Sequence, residues 1–383
     1  MHISQIRLLN FRVYQQALVD LQPGVNLILG ENGSGKTSLL EAIATVALTR
    51  SPRTGSLAEC ASFASTDMGI SITVQEESGS SVLEFRAQRQ PLQDRWTRVL
   101  REDGSQVPAR RLLGRIGVVI FWPEDLALVK GGPEPRRRLL DVAISQLSPE
   151  YSEAAVKCRR VLEQRNSVLR RLRDGEADPA LLQPWDRALV EHGGVVMRYR
   201  RRFLEQAQPV VAEAVASIGE PAEVGLSYRP GAKLLGPESS EEEALVAALR
   251  ELTVEERVRG QSLVGPHRDD FEVLLGGRPA RQFASQGQQR TLVLAIKEAE
   301  VRIHGEILGR RPLVMLDDVL SELDSRHRHG LIARLASNMR VEQTLVTATE
   351  DHGIGEEVPV AQVLEVRAGT IGRQPTEGRG WRE

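Results

Sequence analysis

Eight residues constrain this chain more than any others. Gly30-Glu31-Asn32-Gly33-Ser34-Gly35-Lys36-Thr37 matches GxxxxGK[ST], and its flanks supply the strand and helix that this pattern requires. Val25 to Leu29 is a short apolar run ending at Gly30, and Leu39 to Leu48 follows a helical period. Glycines in such a loop let backbone N–H groups curl around phosphate oxygens, and the helix N-terminus adds its positive dipole. Lys36 is then placed to bridge terminal phosphates and Thr37 to ligate magnesium, while Glu31, Asn32, Ser34 and Ser38 line the same loop. The alternative is an ordinary glycine-rich turn, against which the flanking strand and helix weigh. The motif predicts ATP and Mg2+ as ligands.

A second motif fits the first. Leu313-Val314-Met315-Leu316 is an apolar strand that ends in the paired carboxylates Asp317 and Asp318. In the Walker B arrangement the first acid holds magnesium through water and the second handles the attacking water. Alone, such a pair could merely cap a following helix; with the P-loop present, Lys36, Asp317 and Asp318 become the expected catalytic set. Upstream, Ser285-Gln286-Gly287-Gln288-Gln289-Arg290 opens a predicted helix through Arg302. A serine hydroxyl and glycine N–H groups at a helix start make a second anion site, although Ser285 alone also reads as a cap.

At 383 residues the chain exceeds the ~250–300 at which one hydrophobic core stops growing, so two lobes are expected. Hydrophobic residues at 41% and charged residues at 27% suffice for a folded core. Ile70 to Val74, Val82 to Arg86 and Trp96 to Leu100 read as a strand meander, and Ile116 to Phe121 and Thr344 to Thr347 as buried strands. From Pro149 the pattern turns helical. Val156, Val161, Leu162, Val168, Leu169 and Leu172 form one stripe that stops at Asp174-Gly175, and a second helix follows from Pro179, with Gly193-Gly194 a candidate kink. The expected fold is α/β: an ATPase head from residues 1–120 and 261–383, with a mostly helical lobe, 121–260, inserted between its halves.

Together these segments resemble a known class. LDDVLSELD at 316–324 is similar to the LDEPTSALD region of ABC ATPases, which makes Ser321 and Asp324 D-loop positions. SQGQQ resembles the ABC signature, which assigns Ser285, Gln286, Gly287 and Gln288 to the γ-phosphate of the opposite protomer. The insert between Walker A and signature is far longer than in transporter nucleotide-binding domains and far shorter than SMC arms. NFRVY near the N-terminus, FWPEDLALVKGGPEPRRRLLD at 121–141, LVGPHRDDF at 263–271 and FASQGQQR resemble the RecF family in particular. That resemblance implies an ABC/SMC-like head ATPase acting as an ATP-dependent homodimer. It further implies binding to gapped DNA at single/double-strand junctions, and action with RecO and RecR in loading RecA.

The chain departs from ABC transporters at two points: Asp318 stands where they carry glutamate, and Ala348 falls where they carry a switch histidine. Aspartate is one methylene shorter, so the expected hydrolysis is slow, a timer rather than a motor. Arg12 is either a nucleotide contact or a structural ion pair. Net charge is -2, so DNA contact needs a local basic surface. Candidates are Arg110, Arg111 and Arg115, Arg136 to Arg138, the helical Arg159, Arg160, Arg165, Arg170, Arg171 and Arg173, and Arg198 with Arg200 to Arg202; a solvated, salt-bridged face is the alternative for each. Cys60 and Cys158 stand far apart without metal-ligand spacing. No apolar run approaches the roughly 18–20 residues that cross a bilayer, so a cytoplasmic protein without membrane partners is expected. Rival readings are a transporter ATPase subunit and a DNA clamp with negligible hydrolysis. A nuclease of the overcoming-lysogenization type would need a downstream acidic cluster, for which little sequence follows the D-loop.

Overall fold

A computed structural model of the chain describes residues 1–90, 95–217, 222–234, 236, 239–319, 342–351 and 359–373. The chain divides into two compact units, Met1–Asp125 with Glu300–Glu383, and Leu126–Ala299.

In the first unit β1 (His2–Phe11) and β2 (Tyr14–Asp20) form a hairpin, and β3 (Gly24–Leu29) runs into the P-loop and α1 (Lys36–Ala47). After the single turn α2 (Leu57–Cys60), the meander continues as β4 (Asp67–Glu76), β5 (Gly79–Gln90), β6 (Arg95–Glu102) and β7 (Ser105–Gln106). These strands make an antiparallel sheet in the order β2-β1-β4-β5-β6-β7. Alternation drives it: Met68, Ile70, Ile72 and Val74 of β4 are buried while the residues between them are not. The short α3 (Ala109–Leu112) leads to β8 (Val118–Phe121), four buried residues in a row.

The second unit is mainly helical: α4 (Ala127–Lys130), α5 (Pro133–Leu147), α6 (Pro149–Arg173) and α7 (Gln183–Ala216), then α8 (Glu241–Arg259) after β9 (Val224–Arg229). Start and stop signals are local. Ser148 accepts from the Tyr151 N–H at the head of α6, and α8 opens on a Ser240–Glu243 capping box and closes on left-handed Gly260. The buried stripe of α6 is Tyr151, Ala154, Cys158, Val161, Arg165 and Leu169, at helical spacing. Val156, read from sequence as part of it, is 51% exposed, because it lies two residues from Cys158 and therefore on the opposite face. Helix α7 continues through Gly193-Gly194; a Cβ at Gly193 would press on Leu245 and Pro266, and one at Gly194 would collide with Glu242. The glycines thus serve the close approach of α8 to α7.

β10 (Asp270–Leu275), β11 (Arg278–Pro279) and α9 (Ala280–Phe283) follow, and α10 (Gln286–Leu308) carries the chain from the second unit back to the first. The expected return boundary near residue 260 differs from the observed one at 299. The reason is pairing: β10 aligns antiparallel with β9, so the segment after 260 completes the sheet β11-β10-β9 of the helical unit. The first unit resumes with β12 (Leu313–Asp317), β13 (Gln343–Ala348), β14 (Val360–Arg367) and β15 (Thr370–Arg373). Its second sheet has the order β15-β14-β3-β13-β12-β8, parallel from β14 to β8.

Candidate nucleotide site

Three neighbouring parallel strands, β3, β13 and β12, carry their C-terminal ends to one edge of this sheet. The P-loop leaves β3, Thr347 sits near the end of β13, and Asp317 ends β12. Ligands of open parallel sheets bind at that edge.

The loop's shape depends on its glycines. Gly33 and Gly35 have φ of 79° and 123°, and a Cβ at Gly35 would stand 2.8 Å from Tyr14 Oη and 2.9 Å from Val13 Cγ2. A Cβ at Gly30 would strike the Val366 carbonyl. Tyr14 Oη donates to Gly35 O at 2.9 Å, and Gly369 N donates to Ser34 O at 3.1 Å. Glu31, Asn32 and Gly33 are exposed, Ser34, Gly35 and Lys36 are buried, and Gly30, Thr37 and Ser38 are half-buried. Ser34 Oγ is buried and finds no hydrogen-bond partner among the described residues, so the loop presents an unused hydroxyl.

Lys36 is 3% exposed and donates to Gly30 O at 2.7 Å and Glu31 O at 3.2 Å, with Asp318 Oδ2 3.6 Å away. The ammonium therefore sits between the loop and the Walker B pair. Thr37 Oγ1 lies 2.8 and 3.0 Å from the two oxygens of Asp317, and Thr347 Oγ1 donates to Asp317 Oδ1 at 2.9 Å. Burial, with a smaller contribution from Asp318, raises the Asp317 carboxyl above its ordinary value although both threonines donate to it. Hard oxygen donors in a pocket that penalises bare negative charge suit magnesium shared with phosphates. Asp318 adopts a left-handed φ of 50°, held there by its N–H donating to Thr347 Oγ1 at 2.9 Å. Thr347 is the site residue that sequence reasoning missed; its signal was a hydroxyl inside the apolar run TLVTA.

Lys36, Thr37, Asp317 and Asp318, predicted from two motifs 280 residues apart, are thus brought together. Arg12 is engaged elsewhere: it forms a two-pronged pair with Glu41 of α1, at 2.6 and 2.9 Å, and donates to Glu59 O at 2.6 Å. Glu41 is fully buried and also receives Ser51 Oγ and Arg53. Ser321 and Asp324 lie outside the described residues. Ser285 belongs to the second unit, where it is exposed and caps α10: Gln288 N donates to Ser285 Oγ at 3.3 Å, and Ser285 N to Gln288 Oε1 at 2.9 Å. Gln286 is exposed and Gly287 half-buried beside it.

The arginine clusters separate by partner. Arg115 grips Glu76 and Glu102, Arg136 pairs with Asp270, Arg165 with Glu256 and Asp186, and Arg200 with Asp141 and Asp269. Arg111, Arg173, Arg198 and Arg201 also hold acidic partners, while Arg137 and Arg171 donate to carbonyls. Arg110, Arg138, Arg159, Arg160, Arg170 and Arg202 are exposed with no partner among the described residues.

A P-loop at the end of a parallel strand, answered across the sheet by Asp317 and Asp318, defines a nucleotide-binding head of the ABC/SMC type. Residues 2–371 match the family described as RecF/RecN/SMC N terminal domain. The DNA replication and repair protein RecF of Heliobacterium modesticaldum is 37% identical over 377 residues, covering 97% of this chain and 99% of its own. The protein of that name from Staphylococcus epidermidis is 34% identical over 371 residues, covering 94% and 96%. Two solved structures of the recombination mediator protein RecF in the RecFOR pathway superpose closely. The RecF-ATPrS structure has a TM-score of 0.87 at 27% identity and covers 97% of this chain and 98% of its own, and the RecF-ATP structure has 0.86 at 28%, covering 97% of each. An SMC head bound to the C-winged helix domain of ScpA, at 15% identity and TM-score 0.56 over 98% of each chain, shares the fold alone. The chain belongs to the RecF family.

Proposed function

We propose that the protein is an ATP-gated homodimer that binds gapped DNA at single/double-strand junctions in recombinational repair and replication-fork maintenance, and that it works with RecO and RecR in loading RecA. The observation that carries the ATP step is the convergence of Lys36 and Thr37 on Asp318 and Asp317, with the orphan Ser34 hydroxyl in the loop. Lys36 exchanges its two carbonyl partners for terminal phosphate oxygens, which are stronger acceptors. Thr37 and Asp317 would hold magnesium, which when bound would supply charge neutralisation to the phosphates. Asp318 orients the attacking water, and Thr347 fixes the Asp317 carboxylate and the Asp318 backbone.

The family's name for its members supports the DNA role, and the RecFOR pathway named for the solved relatives supports RecO and RecR as partners. The six exposed, unpaired arginines are the preferred DNA contacts, because a guanidinium already engaged by carboxylate gains little from phosphate. In the dimer, Ser285, Gln286, Gly287 and Gln288 of one copy close over the γ-phosphate in the P-loop of the other. For this, the Ser285 hydroxyl turns from capping Gln288 to donating to phosphate. The short Asp318 side chain makes hydrolysis slow, so nucleotide acts as reversible glue.

Sizing the purified protein with and without ATP and gapped DNA tests this. Dimer only with ATP, and DNA retained only by dimer, is the expected result; a monomer under every condition refutes it. A transporter subunit would instead fractionate with membranes, and no helix among the described residues is long and apolar enough to cross one. A clamp without hydrolysis would release no phosphate on gapped DNA.

A further inference from the structure

The turn Gly265–Asp269, at the centre of the LVGPHRDDF segment, has no role in the ATP site, yet its backbone is pinned from several directions. Gly265 takes φ of 124°, and a Cβ on the facing Gly231 would stand 2.1 Å from Gly265 O and 2.9 Å from Arg268 Cβ. Arg200 of α7 donates to Pro266 O at 2.7 Å, and Arg268 N donates to Gly265 O at 2.9 Å. Gly231 N donates to the buried Asp269 carboxylate at 2.7 Å. Helix α7, the segment after β9 and the turn's own bonds thus hold one short stretch of chain rigid.

What this turn presents is positive charge. Arg268 is exposed and His267 half-buried, and both reach the Ser262 carbonyl, His267 Nε2 at 3.1 Å and Arg268 Nη2 at 3.3 Å. Ser262 is itself fixed: its N–H donates to Asn166 Oδ1 and its hydroxyl accepts from Arg165. Arg137 of α5, half-buried, donates to the Asp269 carbonyl at 2.9 Å. Two guanidinium groups are therefore tied to the backbone of one segment, at residues 262 and 269. Burial, with smaller contributions from the Arg268 and Arg137 charges, holds the His267 ring below its ordinary value although Ser262 O accepts from it. The ring is neutral near pH 7, and the charge belongs to the arginines.

The carboxylates around them are engaged elsewhere. Asp141 and Asp269 receive Arg200, Asp270 receives Arg136, and Glu256 receives Arg165. Among the described residues Arg137 and Arg268 hold only neutral carbonyls. An anion is the stronger acceptor, and phosphate oxygens meet the planar guanidinium fork two at a time. A rigid mounting lowers the ordering cost of such a contact.

We propose that the Pro266–Arg268 turn is a contact for the DNA phosphate backbone, with Arg268 and Arg137 as its two phosphate ligands. The assignment rests on the DNA reading above and deepens it, adding to the exposed helical arginines a contact mounted on a locked turn. Because only phosphates are touched, it contributes affinity and register and no sequence preference.

Fluorescence anisotropy of labelled gapped DNA, with the full chain and ATP at about 50 to 200 mM KCl, tests this on wild type, Arg137→Gln, Arg268→Gln, the double variant and Arg268→Lys. Each phosphate contact adds about 0.9 to the slope of log affinity against log salt, so losing one weakens binding about eightfold at ~0.1 M. Expected for each glutamine is that loss and a slope lower by roughly one, equally on two unrelated DNA sequences. Arg268→Lys, which keeps the charge, should keep the wild-type slope, and ATP affinity should be unchanged in every variant. Wild-type DNA affinity in the double variant overturns the contact. So does weaker binding at the wild-type slope, or with ATP affinity lost as well, since the arginines would then be structural. Wild type binding poly-glutamate, with DNA affinity untouched by the variants, overturns it in favour of an acidic protein partner. A wild type that binds no gapped DNA overturns the DNA reading itself, a pattern distinct from failure of this turn alone.

Discussion

The motif LVGPHRDDF contains a carboxylate on which much of the second unit depends. Asp269 is fully buried and accepts from Arg200 Nη1, Tyr228 Oη and Gly231 N, all at 2.7 Å, while Arg200, 5% exposed, also bonds Asp141 and the Pro266 carbonyl. Asp269→Ala removes one of two carboxylates from a buried guanidinium and orphans two further donors. Breaking a buried pair costs about 3–5 kcal/mol, and each stranded donor about 1–3 kcal/mol. Because Asp141 still faces Arg200, the expected total is at the low end of that sum, roughly 5–6 kcal/mol. That is a large share of the ~5–15 kcal/mol that holds a domain together. Urea unfolding, followed by far-UV circular dichroism and by fluorescence of Trp185 in α7, measures it. Asp269→Asn, which keeps the volume and one acceptor, should lose less. The double variant Arg200→Met/Asp269→Leu should be more stable than Asp269→Ala, since no bare charge remains. A loss under about 1 kcal/mol, or strictly additive single losses, would refute the claim that these residues act as one network.

Four further outcomes are expected. Asp318→Asn should retain ATP but prolong the ATP dimer, read by gel filtration after ATP is removed; a lifetime equal to wild type counts against water activation at 318. Ser285→Arg should bind ATP in solution and remain monomeric, and a variant that still dimerises removes the assigned interface. Thr347→Val strips the acceptor from the Asp318 N–H and a donor from Asp317, so phosphate release should fall about tenfold, some 1.4 kcal/mol in barrier, with ATP affinity kept; an unchanged rate excludes the positioning role. Arg115→Gln should alter acid stability. Hydrogen bonds from Arg115 hold the Glu76 carboxyl below its ordinary 4.5, and at Glu102 those from Arg111 and Arg115 outweigh burial. A depressed folded value stabilises above the unfolded pKa and is lost as pH falls through the folded one. The gap between wild type and variant should therefore be widest above pH ~5 and close toward pH ~3; a gap constant across that range refutes the assignment.

The sequence by itself determined the P-loop, the Walker B strand, the long helices and the two-lobed plan, because each is written in contiguous residues. Strand, glycine loop and helix follow one another at Val25 to Leu48, and the α6 boundaries rest on caps within a turn of the helix they end. It also determined which residue types could share a phosphate site, since anion binding needs bare N–H groups, a lysine and a hydroxyl at fixed spacing. Tertiary structure decided the rest, through pairing across long separations. Thr347 reaches Asp317 and Asp318 only because β13 lies beside β12, Arg12 is taken by Glu41 because the hairpin packs on α1, and the arginines divide into engaged and free according to carboxylates brought from remote elements. A one-dimensional pattern records that a side chain is polar or apolar; which partner satisfies it is fixed when elements tens or hundreds of residues apart come to rest against one another.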